Sequence, residues 1–141
     1  MRIADWQGRR LTPSELKART KAFALGVIDL TETFPRTRSA DVVGRQLLRS
    51  ATSVAANYRS ACRARSRRDF ISQMGIVEGE ADESQFWLEV AGDRQMADRA
   101  TTRALWQEAG SIVAIVVAAI RTARGARRAN PQSAIRNPQC S

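Results

Sequence analysis

Histidine is absent from all 141 residues, which removes the commonest general base at neutral pH and the commonest transition-metal ligand. Cysteine occurs twice, at Cys62 and Cys140. One falls on an apolar helical phase and the other in a polar tail, so no disulfide framework is expected and a reducing compartment suits the chain. Proline is missing between Pro35 and Pro131, and no alternating strand pattern with turn dipeptides occurs, which makes the expected class all-α. The most apolar run, Ile112 to Ile120, is too short to cross a bilayer. Met1 to Arg10 is polar and charged, unlike a secretory segment. The expected location is the cytoplasm, with no membrane association.

What the chain has in abundance is arginine, 21 of its 23 basic residues, with a net charge of +9. Such a charge favours a polyanionic partner. GC-rich coding would raise arginine too, so the placement of the charges is more informative than their number. Between Arg36 and Arg68 nine arginines face one acid, Asp41, whereas from Asp69 to Asp98 eight acids face one base, Arg94. This division falls between two long helical patterns.

The first of these reads Val43, Leu47, Ser50, Ala51, Val54, Tyr58, Ala61 and Cys62 on one face, with Arg45, Arg49, Arg59 and Arg63 on the other. The second carries a seam of Phe70, Met74, Val77, Ala81, Ser84, Leu88 and Ala91, alternating four and three apart as in a bundle. Glu78, Asp82, Glu89 and Asp93 share a face beside that seam, where they could pair with arginines of a neighbouring helix or subunit.

Two further helices complete the set. Thr12-Pro13-Ser14-Glu15 has the form of an N-cap with a capping box, and Leu16, Thr20, Phe23, Val27, Leu30 and Phe34 keep the spacing as far as Pro35. Ser39 and Ser66 are the expected N-caps of the second and third helices, and Gly92 the expected end of the third. Leu105, Ala109, Ile112, Val116, Ala119 and Ala123 form the seam of the last helix, with Ile115, Val117 and Ile120 widening its apolar arc. That width implies burial from two directions and hints at oligomerisation. The expected architecture is one antiparallel up-and-down four-helix bundle over residues 12–124, with helices at about 13–34, 40–64, 67–91 and 99–124. A flexible arm, 1–11, precedes it and a disordered basic tail, 125–141, follows.

The segments Phe34-Pro35, Val43-Gly44-Arg45-Gln46-Leu47-Leu48-Arg49-Ser50-Ala51-Thr52-Ser53-Val54-Ala55-Ala56-Asn57-Tyr58-Arg59, Cys62-Arg63-Ala64-Arg65-Ser66 and Asp69-Phe70-Ile71 resemble a bacterial four-helix-bundle family. That family includes proteins encoded in ribosomal-RNA intervening sequences and the accessory variability determinant of diversity-generating retroelements. Ile76-Val77-Glu78-Gly79-Glu80-Ala81-Asp82-Glu83-Ser84 and Trp87-Leu88-Glu89 resemble its third helix. The resemblance covers Leu16 to Arg124. It implies a homopentameric barrel of bundles, a basic surface engaging nucleic acid, a reverse transcriptase as partner, and no catalytic activity. After Asn57 the chain departs from relatives with an acidic-glycine pair, having Tyr58-Arg59-Ser60-Ala61 instead, which makes this region more basic.

The expected function is therefore non-catalytic binding of RNA or a DNA–RNA duplex by an oligomeric bundle. Arg45, Arg49, Arg59, Arg63, Arg65, Arg67 and Arg68 would contact phosphates with little sequence specificity. Phe86, Trp87, Trp106 and Ile115 are the expected oligomer contacts. The competing expectation is a protein-interaction or structural scaffold whose arginines neutralise its own acidic helix. An enzyme is disfavoured, because Glu78, Asp82 and Glu89 have the spacing of any solvated acidic face, and Tyr58 and Cys62 lack a base. No cofactor or metal is expected.

Overall fold

The computed structural model describes residues 3–4 and 10–129, with side chains from 11 to 125. Thr12 opens α1 (Pro13–Thr31): its hydroxyl accepts from the Glu15 N–H at 3.1 Å while Glu15 Oε2 accepts from the Thr12 N–H at 3.3 Å. The two bonds satisfy amides that a helix start leaves without partners. α2 spans Arg38–Ala61, α3 Arg67–Asp93 and α4 Arg99–Ala129.

Thr37, rather than Ser39, caps α2, its hydroxyl accepting from the Ala40 N–H at 3.2 Å. Ala40 is buried in phase with Val43 and Leu47. Ser66 caps α3 by accepting from the Asp69 N–H at 3.0 Å. Gly92 stays inside α3, and the left-handed residue is Gln95 at φ 52°. There the N–H of Met96 donates to Ala91 O and that of Gln95 to Gly92 O, a Schellman closure. It returns the buried Met96 onto Ala91, Ala40 and Val43 as a small second core.

The helices form a ring: α2 packs along α3, α3 along α4, and α1 against α2 and, less extensively, α4. Small residues allow the α2–α3 approach. Ala51 and Ala81 are fully buried, and the Ser84 hydroxyl donates to Ser50 Oγ at 3.0 Å across the contact. The main core joins Leu16, Phe23 and Val27 of α1 to Leu47, Val54 and Tyr58 of α2, Phe70, Met74 and Leu88 of α3, and Ile112 and Val116 of α4. Each such side chain contributes about 1.5–3 kcal/mol by leaving water. The architecture is thus an all-α four-helix bundle, apart from one short ladder.

That ladder pairs β1 (Ile3–Ala4) antiparallel with β2 (Arg10–Leu11), and β1 lies against α4. Leu11 is only 1% exposed. Part of the segment expected to be a flexible arm, β1, therefore lies against α4 from within the same chain. Ile115 is 1% exposed, in the core rather than on the oligomer-facing surface. α4 continues to Ala129, five residues past the expected Arg124, and residues 130–141 of the expected tail lie outside the described residues. Residues 99–125 are long and apolar enough to meet a test for a membrane span, a test that a helix packed on one face in a bundle core also passes.

Candidate nucleic-acid interface

The link between α2 and α3 is only five residues, Cys62-Arg63-Ala64-Arg65-Ser66. Ala64 N–H donates to Ala61 O at 3.0 Å, tightening the end of α2, and Ser66 starts α3 at once. So short a link holds Arg59, Arg63, Arg65 and Arg68 around one turn, and all four are exposed. α4 runs antiparallel to α3, as the contact of Gln85 Nε2 with Trp106 O at 3.3 Å near one end shows. Its last turns therefore lie beside the first turns of α3, adding the exposed Arg121 and Arg124 to the same end of the bundle. None of these six arginines takes part in an ion pair among the described residues. The acid nearest in sequence is Asp69, whose carboxylate accepts from Gln73 Nε2 at 2.9 Å.

The seven arginines expected to bind phosphate do not form one surface. Arg67 is 2% exposed. It falls three residues before Phe70 and seven before Met74, on the seam of α3, so the helix turns it inward whatever its charge. Arg49 reaches across to α3, where its Nη1 donates to Glu80 Oε2 at 3.1 Å and its Nη2 to Glu83. The bond donated to Glu83, and the nearby Glu80 charge, raise the Arg49 pKa above its ordinary value. Its partners are thus Glu80 and Glu83, not the Glu78, Asp82, Glu89 and Asp93 face expected to meet a basic neighbour. Arg45 is exposed but lies toward the other end of α2, lining a small cleft with Phe34, Pro35 and Asp41. Arg59, Arg63, Arg65 and Arg68 remain together, and Arg121 with Arg124 join them.

Of the expected oligomer contacts, Phe86 is 52% exposed and Trp106 37% exposed. Trp87 is half-buried, donating from Nε1 to Glu83 Oε2 at 3.2 Å and meeting the Phe86 ring edge-on at 4.9 Å. Trp106 borders a cleft of about 700 Å³ between the end of α3 and the start of α4, whose lining mixes Glu89 and Asp93 with Arg99 and Arg103. Among the described residues, no group of three or more Cys, Asp or Glu side chains is placed to hold a metal ion. Tyr58 is fully buried and Cys62 packs half-buried beside the core.

A four-helix bundle with these features has close structural company. The chain is similar to a protein of unknown function from the S23 ribosomal protein family of Bacteroides thetaiotaomicron, with a TM-score of 0.71 and 28% sequence identity over 77% of this chain and 97% of that one. No curated protein matches it. The model of the 23S rRNA-intervening sequence protein family matches residues 14–118, most of the bundle. This chain belongs to the 23S rRNA-intervening sequence protein family.

Proposed function

We propose that this protein binds nucleic acid, without catalysis, through the basic end of its bundle. The observation that supports this reading is the gathering of Arg59, Arg63, Arg65, Arg68, Arg121 and Arg124 at one end, all exposed and none in an ion pair among the described residues. Guanidinium groups held this way suit bidentate contact with phosphate oxygens. Contact with the backbone alone carries little sequence preference, and the partner proposed is RNA or a DNA–RNA duplex. The resemblance to retroelement accessory proteins extends the proposal to homo-oligomeric service beside a reverse transcriptase in the cytoplasm.

The test is fluorescence anisotropy of a labelled RNA hairpin and a DNA–RNA duplex at three salt concentrations. The expected result is affinity that falls with a log–log slope of about −3 to −5, the release of ions from a handful of phosphates. Absence of binding at low salt overturns the proposal.

A second reading, a scaffold whose arginines serve its own acidic helix, is favoured at one position by the Arg49 bonds to Glu80 and Glu83. Binding to a protein partner that persists at high salt, with no affinity for either nucleic acid, would select it.

A further inference from the structure

The cleft of about 700 Å³ between the end of α3 and the start of α4 sits at the end of the bundle away from the arginine cluster. Glu89 and Asp93 line it from α3, Arg99 and Arg103 from α4, and all four are exposed. The helices run antiparallel with Gln85 beside Trp106, which levels Glu89 with Arg103 and Asp93 with Arg99. Opposite charges at one height can close on each other, as Arg49 does with Glu80 and Glu83 across the α2–α3 contact. Here they do not. None of the four takes part in an ion pair among the described residues, and Gly92 lines the cleft without a side chain to fill it.

An acidic wall facing a basic one suits an occupant that carries both signs. A phosphate backbone would meet two carboxylates there, and a polyamine two guanidinium groups. Each wall repeats its charge every four residues, about 6 Å along a helix. In an extended peptide, side chains two positions apart stand about 6.5 Å from each other on one side, and the intervening ones point to the other. A segment of alternating lysine and glutamate therefore reaches both walls at once, its cations toward Glu89 and Asp93 and its anions toward Arg99 and Arg103. Trp106, three residues past Arg103 and 37% exposed, borders the same cleft. Its indole offers a flat apolar surface to an aromatic residue next to the charged ones.

We propose that this cleft binds an extended peptide segment of another protein, in which basic and acidic residues alternate beside an aromatic one. Its volume falls within the range of about 300–1,000 Å³ usual for ligand sites. The contacts are open to solvent, so the affinity is modest, with a Kd on the order of 0.1 mM. The site does not depend on nucleic-acid binding at the opposite end.

The experiment is fluorescence anisotropy of labelled Tyr-Lys-Glu-Lys-Glu-Tyr, blocked at both ends, titrated with the full chain free of nucleic acid. Saturable binding is expected. The isomer Tyr-Lys-Lys-Glu-Glu-Tyr is expected to bind at least about fivefold more weakly, because an extended chain cannot send its like charges to one wall. Glu89→Arg with Asp93→Arg is expected to raise the Kd at least about tenfold. Adding Arg99→Glu and Arg103→Glu to that chain restores the original net charge and most of the affinity, since the peptide turned about its long axis again finds opposite charge on both walls. Should these variants lose their helical circular dichroism, Trp106→Ala decides instead, with an expected rise in Kd of about threefold or more. Absence of saturable binding overturns the proposal. So does equal affinity for the two peptides, which would mean attraction by overall charge. Inorganic triphosphate bound in place of the peptide and lost with Arg103→Glu, as followed by calorimetry, also overturns it.

Discussion

The two ends of the bundle carry similar numbers of exposed arginines and differ in what stands between them. At the end formed by the α2–α3 turn and the last turns of α4, Arg59, Arg63, Arg65, Arg68, Arg121 and Arg124 have few acids among them. At the opposite end Arg36, Arg38, Arg94, Arg99 and Arg103 alternate with the exposed Glu32, Asp41, Asp93 and Asp98. Interleaved charges cancel within a Debye length, about 8–10 Å at physiological salt, whereas an uninterrupted cluster projects its field further. Count alone would make the ends equivalent; sign order along the chain makes one of them a phosphate-binding candidate.

The sharpest way to break this comparison is to reverse three charges at each end. Arg59→Glu, Arg63→Glu and Arg65→Glu together are expected to lower RNA affinity about a thousandfold at low salt and flatten its salt dependence. Arg94→Glu, Arg99→Glu and Arg103→Glu together are expected to change it less than about tenfold by the same long-range argument. Equal losses from both triples, measured by anisotropy on folded protein, would mean that overall charge and not its placement governs binding.

The next largest effect separates two neighbours at the basic end. Arg67→Glu puts an acid where a buried guanidinium now sits and is expected to cost about 3 kcal/mol or more in urea unfolding. Arg68→Glu, one residue on and exposed, is expected to stay within about 0.5 kcal/mol. At the mixed end, Gln95→Gly relieves a left-handed backbone at the Schellman position and is expected to add about 0.5–1 kcal/mol of stability.

The smallest effect is a pH dependence at the start of α4. The Thr101 hydroxyl and then its N–H, at 2.7 and 2.9 Å, hold the Asp98 carboxyl below its ordinary value of 3.8. A carboxyl depressed in the folded state contributes stability that is complete above its unfolded pKa and lost as the pH falls through the folded one. Asp98→Asn is therefore expected to reduce the loss of stability below about pH 4, as followed by acid titration of the melting temperature.

Helix phase was legible in the sequence because burial obeys it closely. Most residues predicted for each seam are buried, from Leu16 and Phe23 to Ile112 and Ala123, with Phe34, Cys62 and Leu105 only partly so, and the capping signals at Thr12 and Ser66 act as expected. The same phase would have placed Arg67 indoors, had position been weighed above charge. Arg49 shows the opposite difficulty: four acids on α3 share a tidy face, but side-chain reach across the α2–α3 contact selects Glu80 and Glu83 from another. The packing of β1 against α4 was not legible, since so short a ladder has no period to detect. Nor was the reversal at Gln95, where the need to bury Met96 outweighs the preference for glycine in a left-handed turn.

The ring closes at a contact between distant parts of the chain. Arg19 of α1 and Glu108 of α4, 89 residues apart in sequence, meet through two bonds of 2.8 Å, while the other helix contacts join consecutive hairpins. Hairpins can form with little loop entropy to overcome, so the chain has a local route in which consecutive helices pair first and the α1–α4 contact closes last. Weakening the Arg19–Glu108 pair then leaves the refolding rate nearly constant and appears as faster unfolding. The lifetime of the native bundle, rather than the speed with which it is reached, is set at that closing seam.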